Sequence, residues 1–269
     1  MEGVQDPQRV SMNFILTESW LFTLGLFVGI NLMVELGRRV GARQRARIVE
    51  GGEAGVGAVE AAIFGLLGLL IAFTFQGASA RFDGRRALIV EEANNIGTAW
   101  LRIDLLPASA QPVMRELFRR YLDSRLETYR KMPDLVAVKA EEDRTAQLQN
   151  EIWKIAIAGQ KEVGQAVVVG LLPALNQMFD IVTTRTMARK THPPLIVFAM
   201  LALMACAAAF MAGHGMSGSE VRSWVHSLGF AVILTITVYV ILDMEYPRLG
   251  FIRVDSFDQL LVDLRQSMK

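Results

Sequence analysis

The chain has 269 residues, 52% of them hydrophobic and 20% charged, with a net charge of +1 and a mean hydropathy of +0.32. That balance excludes a disordered chain, gives no basis for nucleic-acid binding, and points to a membrane protein whose apolar residues are clustered. The single cysteine, Cys206, falls inside an apolar run, so there is no disulfide framework.

Four apolar clusters occur, at about 19–36, 57–77, 194–212 and 225–244, each long enough for a helix to cross about 30 Å of hydrocarbon. The expected fold is all-α: an integral membrane protein with four transmembrane helices and a helical extramembrane domain between helices 2 and 3. The expected division is 1–77 (leader and helices 1 and 2), 78–192 (helical domain) and 193–269 (helices 3 and 4 and the tail).

Residues 1–18 read as a short polar leader, with Trp20 as an interfacial anchor. Glu2, Asp6 and Glu18 precede the first cluster and a basic run follows it, so that cluster is expected to remain as a helix and not to be cleaved as a signal. Asn31 and Glu35 lie toward its far end. Glu35 is either a functional ionisable group or the partner of Arg38 and Arg39. The run GRRVGARQRARIVEGGEAG carries Arg38, Arg39, Arg43, Arg45 and Arg47, and its glycines make it a connector.

The second cluster has no charge from residue 61 to 73. Gly65, Gly68, Ala72 and Ser79 recur at helical spacing along one face, which serves either helix packing or a pore in an oligomer. In the pore reading Phe73 and Phe75 form an apolar constriction, with Leu69 and Gln76 completing the candidate lining. Beyond it, Ile89, Ala93, Ile96, Trp100 and Ile103 form an apolar stripe. Glu91, Asn94, Asn95, Thr98 and Arg102 form a polar one, about 200° round the helix. Asn, Thr and Gly97 cost roughly 0.5 to 1 kcal/mol each in a helix interior, which suggests a selected surface as much as a solvated one.

The intervening domain reads as helices ending near Pro107 and then spanning about 112–132, 140–158 and 173–191, with Pro133 stopping the second and Pro173 opening the last. The loop GHGMSGSEVRS joins spans 3 and 4. Past span 4, Asp243, Pro247 and Gly250 mark a compact turn, and Leu260, Leu261 and Leu264 a small amphipathic helix. His214 and His226 flank a membrane interface without partners at metal-ligand spacing.

The blocks FTFQGASARFD, RRALIVEEANNIGTAWLRIDLLP and ILDMEYPRLGFIRV resemble the bacterial bestrophin-like family, also known as a domain of unknown function. The link to true bestrophins lies in the layout of two spans, a helical domain and two spans, and in the Arg81–Phe82 pair after the second span. That resemblance implies a homopentamer with a central, anion-passing pore lined by the second helix, in a multi-pass inner-membrane protein whose termini and domain are cytoplasmic. The acidic calcium-binding cluster of animal bestrophins has no counterpart in DMEYPRLGFIRVD, which apolar and basic residues interrupt.

An enzyme is not expected: no nucleophile, phosphate-loop or metal constellation can be assembled, and no cofactor is implied. Glu91 and Glu92 point about 100° apart, with Arg85 and Arg86 as their expected partners. Two readings remain, an oligomeric ion channel in contact with lipid and inorganic ions, and a non-conducting membrane scaffold or sensor whose domain binds a partner protein. Basic residues near span ends divide as nine on the side of the termini and domain (Arg9, Arg81, Arg85, Arg86, Arg185, Arg189, Lys190, Arg248, Arg253) against six opposite. The first helix alone argues the reverse orientation.

Overall fold

The computed structural model describes residues 7–46, 56–132, 134–218 and 224–269, which contain helices and no strand. Glu2, Asp6, Arg47, Pro133 and Arg222, used in the sequence reading, lie outside the described residues, as do 47–55 of the expected connector and 219–223 of the loop between spans 3 and 4. The chain forms two compact units, Met1–Ala80 with His192–Tyr246 and Arg81–Thr191 with Pro247–Lys269. Residues 247–269, grouped with the last membrane helices on sequence, therefore pack in the unit that holds the helical domain.

The first unit contains α1 (Pro7–Arg45), the start of α2 (Val56–Leu101), α6 (Leu195–Gly215) and α7 (Trp224–Glu245). Among the described residues, four helices are long and apolar enough to cross a membrane. Leu26, Ile30 and Val34, each a turn apart on α1, bury against Ala205, Ala208 and Ala209 of α6 and Ala231, Leu234 and Val238 of α7. Alanine on the facing helices brings the backbones close, which is how helices associate where lipid tails are as apolar as leucine.

Two expectations about α1 are corrected. The helix begins at Pro7, inside the expected leader, and continues to Arg45, through residues expected to be a connector. Its glycines act in packing. A Cβ on Gly37 would run into the Phe210 carbonyl, one on Gly41 into the Ser217 side chain, and one on Gly213 of α6 into the Val34 carbonyl. Gly37 and Gly41 are spaced to put two backbone approaches on one helix face.

The second unit holds the rest of α2, a 3-10 turn Arg102–Leu105, α3 (Gln111–Arg130), α4 (Leu135–Val163), a π turn Val167–Leu171, α5 (Leu172–Lys190) and α8 (Gln259–Ser267). Pro112 and Pro173 open α3 and α5 in the first turn, where a missing N–H costs nothing. Helix α4 starts five residues earlier than expected because the Asp134 carboxylate accepts from the backbone of Val136 at 3.0 Å and Ala137 at 3.1 Å. It ends at Gly164, whose φ of 73° suits glycine.

The core of this unit joins Ile96, Trp100 and Ile103 to Phe118, Tyr121 and Leu122 of α3, Leu148 and Ile152 of α4, Leu175 and Met178 of α5 and Leu261 of α8. The apolar stripe read on α2 is therefore its buried face.

Candidate functional site

Two features of α2 are candidates: the little-packed apolar stretch in the first unit and the charged turn in the second. In the most apolar stretch of α2 only 6% of residues are buried within the chain, against 22%, 28% and 33% in the other three spans. The contacts fall on one side: Leu67 is buried, Ile63 and Ile71 pack beside it, and Phe64 meets Phe230 edge-on at 6.3 Å. Thr74 returns its hydroxyl to the carbonyls of Leu70 at 2.8 Å and Ile71 at 3.0 Å, which removes a polar group from that side.

Opposite, at 100° per residue, stand Gly65, Leu69, Ala72 and Gln76. All four are exposed, and a Cβ at Gly65 or Gly68 would meet nothing. Among the described residues nothing packs over Gly65 or Gly68, in contrast to Gly37 and Gly41 of α1 and Gly213 of α6. Phe73, 68% exposed, and Phe75, 43% exposed, lie two residues apart and so about 160° round the helix. They occupy opposite flanks of the Leu69–Gln76 face.

The polar stripe is in part a docking surface. Asn95 donates to the Gln177 carbonyl of α5 at 3.3 Å, Arg102 to the Gly170 carbonyl in the π turn at 2.7 Å, and Gly97 leaves the space that the Leu264 side chain of α8 approaches. Glu91 and Asn94 are exposed, and Thr98 is half-buried. Among the C-terminal residues, Asp243 is buried in the first unit and accepts from the Tyr239 hydroxyl at 3.1 Å. In the second unit the Pro247 carbonyl accepts from Val254 N–H at 3.1 Å, closing the turn that contains half-buried Gly250.

Glu92 is the residue that the sequence reading misplaced. Its partners are not Arg85 and Arg86. Arg85 binds the carbonyls of Ala188 at 3.2 Å and Thr191 at 2.9 Å, at the C-terminal end of α5. Arg86 pairs with Asp83 at 3.0 Å and lies over the Phe257 ring at 4.3 Å. Glu92 is 0% exposed and is held between Arg125 of α3, at 2.6 Å from Nε to Oε1, and Arg185 of α5, which contacts Oε2.

Around this pair Tyr129 gives its ring to three guanidiniums, with Arg185 at 4.1 Å, Arg248 at 4.5 Å and Arg125 at 5.2 Å. Arg248 in turn forks onto Asp258 at 2.7 and 3.0 Å and reaches Asp255 at 3.1 Å. A cleft of about 300 Å³ opens beside the cluster, lined by Tyr129, Arg130, Arg248, Arg253, Asp255 and Asp258. Burial pushes the Glu92 carboxyl up, but Arg125 and Arg185 outweigh it and hold its pKa at about 2. Burial lowers Arg125 and the Glu92 carboxylate more than reverses that, so the guanidinium stays charged. Burial also raises the Tyr129 phenol, which stays neutral. The sequence did carry the signal: Glu92 is three residues from Ile89 and four from Ile96, so a carboxylate sits on the buried stripe.

A family model described as Bestrophin-like domain matches residues 24–256. No curated protein matches the chain. A crystal structure of a mutated bacterial bestrophin homologue from Klebsiella pneumoniae shares the fold, with a TM-score of 0.64 at 13% identity, over 91% of this chain and 98% of that one.

Proposed function

The chain belongs to the bestrophin-like family, and from that premise we propose that it is a homo-oligomeric ion channel whose path is lined by α2. The observation that carries this reading is the exposed face of α2: an apolar helix with Gly65, Leu69, Ala72 and Gln76 turned away from its own bundle and open space over two glycines. Copies arranged about one axis would bury that face against one another and surround a narrow path with it. Leu69 and Gln76 then face the axis, and Phe73 or Phe75 narrows it from the flank. Five copies, as the resemblance implies, form the ring.

The ion is an anion. Glu92, a carboxylate that would favour cations at the mouth, is neutralised by two buried arginines. Arg85 and Arg102 donate to backbone carbonyls, and Glu91 is an exposed residue of the polar stripe. With no charge in the narrow part, selectivity is modest. The protein is a multi-pass inner-membrane protein with both termini and the second unit cytoplasmic, and an active alkaline phosphatase fusion at residue 269 would reverse that orientation.

Ion flux through liposomes containing the purified chain, together with its mass in detergent, tests the channel. A pentamer passing chloride supports it. A monomer removes the shared pore, and an oligomer that passes no ion makes the protein a scaffold whose helical unit binds a partner.

A further inference from the structure

We infer that His214 is a proton-operated tether for the membrane part of α2; the inference rests on the reading of α2 as the pore helix and adds a regulator to it. The ring stands on a fixed platform. Gly37 and Gly213 bring the α1 and α6 backbones so close that a Cβ on either would strike the other helix's backbone, leaving the end of α6 a single seat. His214 follows Gly213 directly, and its ring reaches both neighbouring helices. Nε2 lies 2.8 Å from Oε1 of Gln44 on α1, and Nδ1 lies 3.6 Å from Oε1 of Glu60 near the start of α2.

A neutral ring has one N–H for these two oxygen acceptors. With the Gln44 oxygen accepting, Nε2 carries the proton, and the neutral ring turns a lone pair toward the Glu60 carboxylate. A second proton, at Nδ1, turns that repulsion into a charge-assisted contact. Imidazoles ordinarily titrate at about pH 6.5, within the range a cell experiences. Among the described residues, these charged and titratable groups stand at this end of the bundle. Helix α2 presents Glu60; α1 presents Arg45, whose guanidinium is where a Cβ on Gly218 would be. The Ser217 hydroxyl lies in the 3-10 turn Met216–Gly218 that follows α6, and exposed His226 lies in the first turn of α7.

The tether matters because of what else holds α2. Among the described residues, the contacts that Ile63, Phe64, Leu67 and Ile71 make with the bundle are apolar and non-directional, so they resist rotation and sliding less than a directional contact does. The contact of Glu60 with His214 is directional and sits at the end of the helix. Protonation therefore fixes that end of α2 on the α1–α6 pair, and loss of the proton releases it.

The test uses the full-length protein in phosphatidylcholine liposomes, with a nitroxide spin label on a cysteine placed at exposed Ala58 and Cys206→Ala as background. Spectra are compared at about pH 8 and about pH 5.5, either side of the imidazole range. In the parent protein the immobilised fraction should rise about two- to fivefold on acidification, the effect of one part-exposed ion pair. His214→Gln bonds to both partners without titrating, and Glu60→Gln removes the countercharge, so both should show no pH response. A parent spectrum indifferent to pH, or a response retained in His214→Gln, overturns the tether. Anion flux from the same liposomes should lose its pH dependence in both variants. If none of the proteins passes ions, the pore reading fails while the label still decides the tether.

Discussion

The two units are stabilised by opposite means. The first is a lipid-facing set of helices in which α1 and α6 meet through glycine and alanine. The second is built round Glu92 with Arg125 and Arg185, beside a large apolar cluster. In hydrocarbon, removing side chains lets backbones approach, and that suffices. In the second unit, a carboxylate on the buried stripe of α2 demands partners from α3 and α5, and so specifies which helices sit beside α2. One region is defined by close approach and the other by charge matching, and α2 contributes to both.

The largest break of this contrast is Glu92→Gln. It leaves two buried guanidiniums uncompensated and should cost about 3 to 5 kcal/mol, read as a large fall in the thermal midpoint in detergent. The pH dependence follows from the depressed carboxyl. A group with a lowered folded pKa stabilises above its unfolded value of 4.5 and loses that contribution as pH falls toward its folded value of about 2. Stability from Glu92 should thus be flat from neutral pH to about pH 5 and fall below it, and Glu92→Gln should remove that acid step.

Next comes Gly213→Leu, which forces the α1–α6 contact apart. Overpacking of this kind costs about 1 to 3 kcal/mol, whereas Gly65→Leu, which meets nothing within the chain, should leave the fold intact and lower only the oligomer mass. A fall in thermal midpoint as large for Gly65→Leu as for Gly213→Leu would erase the distinction between packed and unpacked glycines. The smallest effect is that of Asn95→Ala, which loses one half-exposed hydrogen bond to Gln177 and should cost about 0.5 to 1 kcal/mol.

Helix content, the four spans and the buried stripe of α2 were legible because periodicity reports burial directly. The role of Gly37 and Gly41 was not, since glycine followed by arginines reads as a loop until a facing helix is known to approach. The start of α4 was missed because Pro133 drew the boundary while the Asp134 cap was overlooked. The partners of Glu92 were beyond local reasoning: Arg85 and Arg86 are near in sequence, whereas Arg125 and Arg185 are brought by α3 and α5. Phe73 and Phe75 read from the sequence as one constriction; the structure places both exposed, about 160° apart on α2.

The central claim, that the Leu69–Gln76 face of α2 lines an ion path, is most directly tested by cysteine scanning. In a Cys206→Ala background, cysteines at Leu67, Leu69 and Gln76 are treated with a charged methanethiosulfonate reagent while chloride flux is recorded. The account predicts that modification at Leu69 and Gln76 stops the flux and that treatment at buried Leu67 does not. Flux that persists after modification at both Leu69 and Gln76, or that is stopped at Leu67 alone, would contradict it.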